Sequence, residues 1–70
     1  MPSAVIASIN YFAGRRELEI TFRSGRIYVF FDVPKEVVEK MHAAFSKGEF
    51  FNAHIRGVYR FERREQALVG

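Results

Sequence analysis

The chain has 70 residues, which allows one domain and lies near the smallest size at which a single apolar core offsets the entropy lost on folding. It contains no cysteine, which excludes disulfides, thiol catalysis and cysteine-based metal sites, while eight Phe and three Tyr supply large apolar areas. Eleven basic and eight acidic residues give a formal net charge of +3, which modestly favours anionic partners.

The N-terminal segment does not have the pattern of a targeting sequence. Residues 4–9 are apolar, but the stretch is short, is interrupted by Ser8 and is not preceded by basic residues. It predicts neither a secretory signal nor a membrane span. With the absence of cysteine, this favours a cytoplasmic protein.

Three β-prone segments follow one another in the first half of the chain. They cover residues 4–12, residues 17–23, which alternate cleanly between polar and apolar side chains, and residues 26–31. Short turn signals separate them. We therefore predict an antiparallel meander of three strands.

The turn between the second and third segments decides which side chains share a sheet face. Ser24-Gly25 is typical of a two-residue loop, which would place Thr21 opposite Tyr28. One face would then carry the apolar set Leu18, Ile20, Phe22, Ile27, Val29 and Phe31. The other would carry Glu19, Thr21, Arg23, Arg26, Tyr28 and Phe30. A bulged turn would shift this pairing.

A helix is predicted after Val33-Pro34, because proline is tolerated in the first helical turn. Apolar residues recur at helical spacing at Val37, Val38, Met41, Ala44 and Phe45.

A second, shorter helix is predicted after Ser46, because Ser46 and Glu49 have the spacing of a capping box. Phe51 and Ile55 would lie on its buried side, and Gly57 would end it. Asn52, on the same helix, is expected to hydrogen-bond the preceding loop or the sheet.

The predicted fold class is α+β, a three-stranded antiparallel meander followed by two helices (βββαα). Residues 58–62 alternate again and predict either a short C-terminal strand or an extended arm. One domain would then span residues 1–62, and residues 63–70 are expected to form a frayed tail.

Three blocks of the sequence carry a family resemblance. They are Leu18-x-Ile20-x-Phe22-x-Ser24-Gly25-x-x-Tyr28-x-Phe30, then Val33-Pro34, and then Ala44-x-Ser46-x-Gly48-x-Phe50-Phe51-Asn52-x-x-Ile55-Arg56-x-x-Tyr59. Over nearly its whole length the chain resembles the KTSC domain, which is named for its occurrence at the C-terminus of some lysyl-tRNA synthetases and is also found as a free-standing small protein. Phe30 stands where the family usually has the second tyrosine of a Tyr-x-Tyr motif, so that hydroxyl is missing. The synthetase context of the family implies RNA binding.

Tyr28 and Phe30 beside Arg23 and Arg26 are the first candidate site. Exposed aromatic faces accept unstacked bases, and guanidinium groups neutralise phosphates, so the group would suit single-stranded RNA. The alternative is that the helices cover this face and the two rings are ordinary core residues.

A second basic cluster lies near the C-terminus and comprises Arg56, Arg60, Arg63 and Arg64. We take Arg56 and Arg60 as candidate phosphate contacts. Glu62 and Glu65 interrupt the cluster, so the alternative is an ordinary solvated surface of mixed charge.

No residue pattern predicts catalysis, a cofactor or a metal ion. His42 and His54 lie on different predicted helices without suitable further ligands, and the chain has no nucleophile elbow and no glycine-rich phosphate loop. We therefore expect a binding module that is not an enzyme, with RNA as its ligand and no membrane contact. The alternative is a module for protein interaction or self-association, which would use an exposed aromatic patch or a free sheet edge.

Overall fold

A four-stranded antiparallel sheet organises the protein, whose computed structural model describes residues 6–64. In spatial order the strands are β1 (Ile6–Phe12), β2 (Glu17–Phe22), β3 (Ile27–Phe30) and β4 (Phe61–Arg64). Between β3 and β4 the chain forms helix α1 (Lys35–Ala43), helix α2 (Lys47–Phe50) and a π-helical turn (Phe51–Ile55). The predicted α+β class, with a meander followed by two helices, is confirmed, and the extra C-terminal strand is present.

β4 lies beside β3 at the edge of the sheet, with Phe61 opposite Phe30 and Arg63 opposite Tyr28. It begins three residues after the start of the predicted alternation and ends at Arg64. The rest of the predicted tail, residues 65–70, lies outside the described residues. So do residues 4 and 5 of the predicted first strand.

Phe22 pairs with Arg26, just before β3, so the hairpin loop contains three residues, 23–25, where two were predicted. The backbone N–H of Phe22 donates to the carbonyl of Arg26 at 2.9 Å, and that of Gly25 donates to the carbonyl of Phe22, also at 2.9 Å. Gly25 has a φ of 95°, in the left-handed region that glycine adopts without a Cβ clash. A turn followed by a residue of positive φ is the bulged three-residue hairpin, which inserts one residue relative to the two-residue loop.

The longer loop exchanges the faces of β3. Ile20 lies opposite Tyr28, and Leu18 lies opposite Phe30. Because a shift of one residue turns every side chain of a strand to the other face, Tyr28 and Phe30 share the face of Leu18 and Ile20. The prediction that the two rings lie on the polar face is therefore wrong.

The core lies between this sheet face and the helices. It consists of Leu18, Ile20, Phe30, Val33, Val38, Met41, Phe51 and Ile55. Tyr11, on β1, ties the sheet to the segment before α1, because its hydroxyl donates to the carbonyl of Val33 at 2.6 Å. Burial of this apolar set is the main stabilising contribution available to so small a domain.

Helix α1 begins after Pro34 and ends sooner than the apolar pattern predicted. Val38 and Met41 are buried, in agreement with the pattern. Ala44 has an extended backbone, with φ of −68° and ψ of 142°, and ends the helix. Phe45, the last residue of the pattern, consequently lies beyond the helix and is 100% exposed.

The serine half of the predicted capping box is confirmed, since the Ser46 side-chain oxygen accepts a hydrogen bond from the backbone N–H of Glu49 at 3.2 Å. The following π-helical turn is closed by the N–H of Arg56, which donates to the carbonyl of Phe51 at 2.9 Å. Phe51 and Ile55 are buried, as predicted. Gly57, with a φ of 78°, lies just beyond the turn.

Candidate functional site

An open groove of about 580 Å³ lies between the β2–β3 hairpin and the segment around the π-helical turn. The wall is formed by three parts of the chain. The hairpin contributes Phe22, Arg23, Ser24, Arg26, Tyr28 and Phe30, the helical segment contributes Gly48, Phe51, Asn52, Arg56 and Gly57, and β4 contributes Phe61. We call this feature the aromatic groove. It exists only in the tertiary structure, because its walls come from parts of the chain that are far apart in sequence.

Five aromatic rings in mutual contact line the groove: Phe22, Tyr28, Phe30, Phe51 and Phe61. The ring centroid of Phe30 lies 5.5 Å from those of Phe51 and Phe61, and Tyr28 lies 5.5 Å from Phe22 and Phe61. These distances are typical of stabilising edge-to-face and tilted aromatic pairs. The five rings therefore hold one another in defined orientations.

The rings differ in how much of their surface reaches solvent. Phe30 and Phe51 are 3% and 8% exposed and form the floor of the groove. Phe61 is 50% exposed, and Phe22 and Tyr28 are half-buried. The ring surface open to a ligand therefore belongs mainly to Phe61, Tyr28 and Phe22.

Tyr28 and Phe30, predicted to act as a pair, occupy different positions in the groove. Their planes are 25° apart and their centroids 6.4 Å apart. Because Phe30 is buried, its ring offers no open face, and the prediction of an exposed stacking ring there is wrong. A tyrosine at this position would need a hydrogen-bond partner for its hydroxyl inside the apolar floor.

Three exposed arginines border the groove from two sides. Arg23 and Arg26 belong to the hairpin turn, and Arg56 follows the π-helical turn. Within residues 6–64 none of the three forms an ion pair, and the groove-lining residues include no Asp or Glu. Their positive charge is therefore not neutralised by a neighbouring carboxylate in this part of the chain.

Asn52 and Arg56 form the polar contact at the helical side of the groove. The Arg56 Nη1 donates to the Asn52 Oδ1 at 3.4 Å. The two residues are four positions apart, so they lie on one side of the π-helical turn. The Asn52 side chain thus contacts Arg56, and not the preceding loop or the sheet as predicted.

Arg60 does not reach the groove. Its guanidinium carbon lies 4.4 Å from the centroid of the Phe31 ring, a cation–π contact outside the groove lining. The structure thus brings together Arg23, Arg26, Tyr28, Phe30 and Arg56 of the predicted site, and leaves Arg60 apart.

Phe22, Phe51 and Phe61 line the groove but were not predicted as site residues. Phe22 and Phe51 were predicted to be apolar packing residues. Their positions agree with that prediction, since Phe51 lies in the floor of the groove and Phe22 in its wall. Phe61 was part of the alternation after residue 58, which predicted the strand but could not show that Phe61 pairs with Phe30. The missing information was the register between β3 and β4.

The described residues 6–64 contain no group of three or more His, Cys, Asp and Glu side chains arranged to hold a metal ion. None of the helices between these residues is long and apolar enough to cross a membrane.

A known structure has the same fold. The crystal structure of a KTSC domain protein from Yersinia pestis matches with a TM-score of 0.87 and 34% sequence identity. The match covers 93% of this chain and 92% of the Yersinia pestis chain.

The chain is also similar to a small part of much longer proteins. A lysine–tRNA ligase from Nostoc punctiforme is 40% identical over 60 residues, which are 86% of this chain and 11% of the ligase. A lysine–tRNA ligase from another Nostoc strain is 36% identical over 58 residues, which are 83% of this chain and 10% of the ligase. The chain therefore spans about a tenth of the length of the curated relatives it matches. The model of the KTSC domain matches residues 2–59, most of the chain, and this protein belongs to the KTSC domain family.

Proposed function

We propose that this KTSC domain is a non-catalytic module that binds single-stranded RNA in the aromatic groove. The observation that supports the proposal is the placement of partly exposed rings, Tyr28 and Phe61, beside three arginines that form no ion pair within residues 6–64. Aromatic faces stack with unpaired bases, and guanidinium groups attract phosphates or stack on bases themselves.

The relatives support RNA as the class of ligand by association. Two of them are named as ligases of lysine to tRNA, and a similar domain makes up about a tenth of each. A domain of this kind therefore accompanies enzymes that act on an RNA, although such a context is weaker support than the chemistry of the groove.

The groove offers no combination of groups for a reaction. Among the usual general acids and bases, its described lining residues include Tyr28 but no His, Lys, Asp, Glu or Cys to act with it. Its polar lining groups, among them Ser24, Asn52 and the arginines, suit hydrogen bonding and charge attraction. We therefore propose binding without chemistry.

A salt titration tests the electrostatic part of the proposal. Affinity for a fluorescein-labelled single-stranded oligoribonucleotide would be measured by anisotropy between about 50 and about 200 mM salt. Three phosphate contacts predict a log–log slope of about −2, so affinity should fall about 20-fold over this range. Arg26→Ala and Arg56→Ala should each reduce the slope by about 0.7.

Arg60→Ala is the matched control, because it removes the same charge from a residue outside the groove. It should leave the slope unchanged. Affinity that does not depend on salt would contradict the proposal. Equal losses in Arg60→Ala and Arg26→Ala would show that net charge, and not the groove, attracts RNA.

Protein interaction is the second candidate, and Phe45 is the observation that favours it. This ring is 100% exposed in the linker between α1 and α2 and does not line the groove. A partner surface that covers this ring would remove a large apolar area from water, as aromatic anchors do in protein interfaces. A mass that rises with concentration in solution, and falls to that of a monomer in Phe45→Ser, would support self-association.

A further inference from the structure

On the sheet face that carries Leu18 and Ile20, the aromatic surface open to a ligand lies at one end, within the described residues 6–64. An open sheet platform can stack several bases along neighbouring strands. Here the helices cover the face that carries Leu18 and Ile20, and Phe30 and Phe51 retain 3% and 8% exposure. Tyr28 and Phe61, with ring centroids 5.5 Å apart, remain accessible at one end of that face. On this face the accessible ring area is thus that of a single site.

The groove has the size of a site for one small ligand. Its volume of about 580 Å³ lies within the range of about 300–1,000 Å³ that is usual for small-molecule sites. A base can reach its rings only if it is unpaired, because in a duplex both faces of each base are covered by stacked neighbours.

The arginines stand on both sides of this site. Arg23 and Arg26 project from the hairpin turn, while Arg56 belongs to the helical side, where its Nη1 donates to Asn52. An inserted nucleotide has one phosphate before it and one after it. Guanidinium groups on opposite walls match that arrangement, because each can contact a different phosphate.

We propose that the groove takes one unpaired nucleotide, with its base against Tyr28 and Phe61 and its two flanking phosphates at the hairpin arginines and Arg56. This inference rests on the proposed function, RNA binding, and specifies the form of the RNA. The ligand would be a bulge, a loop or a single strand, and not a continuous duplex.

Three RNA probes of the same sequence context test the inference: a fully paired duplex, the same duplex with one bulged nucleotide, and a third with an abasic bulge. The abasic probe keeps the phosphates and removes the base. We expect the bulged RNA to bind about 10-fold or more tightly than both others, since stacking of one base contributes a factor of this order. Tyr28→Leu should remove the difference between the bulged and abasic probes, and Arg60→Ala should preserve it.

Phe61→Leu provides a second variant in case Tyr28→Leu fails to fold, because Phe61 is 50% exposed at the edge strand. It should also reduce the difference between the two bulged probes. If all three probes bind equally and with the expected salt dependence, insertion of a nucleotide and the preference for single-stranded RNA are both wrong, while electrostatic binding of RNA stands. If no RNA binds, both proposals are wrong. A Glu-rich peptide that competes as well as the bulged RNA would show that the groove recognises negative charge alone, which would also overturn insertion.

Discussion

Ile20 lies directly opposite Tyr28 in the β2–β3 ladder, and this pairing places the Tyr28 ring on the core side of the sheet. The same ring borders the aromatic groove, in contact with Phe22 and Phe61. The pairing depends on the three-residue loop that ends at Gly25. Hairpin geometry therefore decides whether the groove has an aromatic wall.

Gly25→Ala is expected to destabilise the fold. At a φ of 95° an alanine Cβ meets the backbone, and this should lower the free energy of unfolding by about 1–2 kcal/mol. Gly14→Ala is the matched control, because a Cβ at Gly14 would meet nothing within 4 Å. Urea unfolding of both variants measures the difference. Equal losses would contradict the bulged hairpin.

Phe30→Ala and Phe61→Ala should differ strongly in stability. Phe30 is 3% exposed, and loss of such a core ring costs about 3–5 kcal/mol, a large part of the stability of a domain this size. Phe61 is 50% exposed, so its removal should cost less than half as much. Thermal and urea unfolding provide the comparison. Similar losses would show that Phe30 is not the floor of the groove.

Asn52→Asp should weaken RNA binding with little effect on folding. A carboxylate at 3.4 Å from the Arg56 Nη1 would pair with that guanidinium and withdraw it from a phosphate. The salt slope should fall in magnitude by about 0.7. Unfolding free energy should change by less than about 0.5 kcal/mol, because the pair is exposed.

Asn10→Asp is the control for this variant, since it changes net charge equally at an exposed residue on β1. Asn10 donates a hydrogen bond to Glu19, so the variant should lose some stability through like-charge repulsion, but its salt slope should match that of the parent protein. An equal loss of slope in both variants would exclude a specific role for Arg56.

Ser46→Ala should lower the free energy of unfolding by about 1 kcal/mol, because the N–H of Glu49 loses the oxygen that caps α2. Ser46→Asp should restore much of the loss, since aspartate also caps helices. Ser24→Ala is the control, and its effect should stay within about 0.5 kcal/mol because Ser24 is exposed in the hairpin turn. A stable Ser46→Ala variant would show that the cap contributes little.

Features that depend on neighbouring residues were predictable from the sequence. The Ser46 cap and the burial of Val38, Met41, Phe51 and Ile55 follow from spacings of three or four residues, and the structure has each of them. The resemblance to the KTSC domain was likewise carried by short motifs, and it is confirmed. Phe45 is an exception among the predictions of helical burial, because the apolar pattern continued past the point where α1 ends.

The candidate site was predictable in composition and not in geometry. Arg23, Arg26, Tyr28 and Arg56 were chosen for their chemistry, and they do line one groove. The reason given for grouping the hairpin residues was an outward sheet face, which the register of β2 and β3 contradicts.

Alternation along the chain determined which segments are strands and which residues could be buried, because those preferences act between near neighbours. It left the register between β2 and β3 open, since the alternating pattern is compatible with a loop of either two or three residues around Gly25. The register of the three-residue loop lets Phe30 pack against Phe51 and Phe61, which come from distant segments. In the register of a two-residue loop, Tyr28 and Phe30 would lie on the opposite face of the sheet, away from these partners. Only the tertiary structure could make that choice, and with it the aromatic groove.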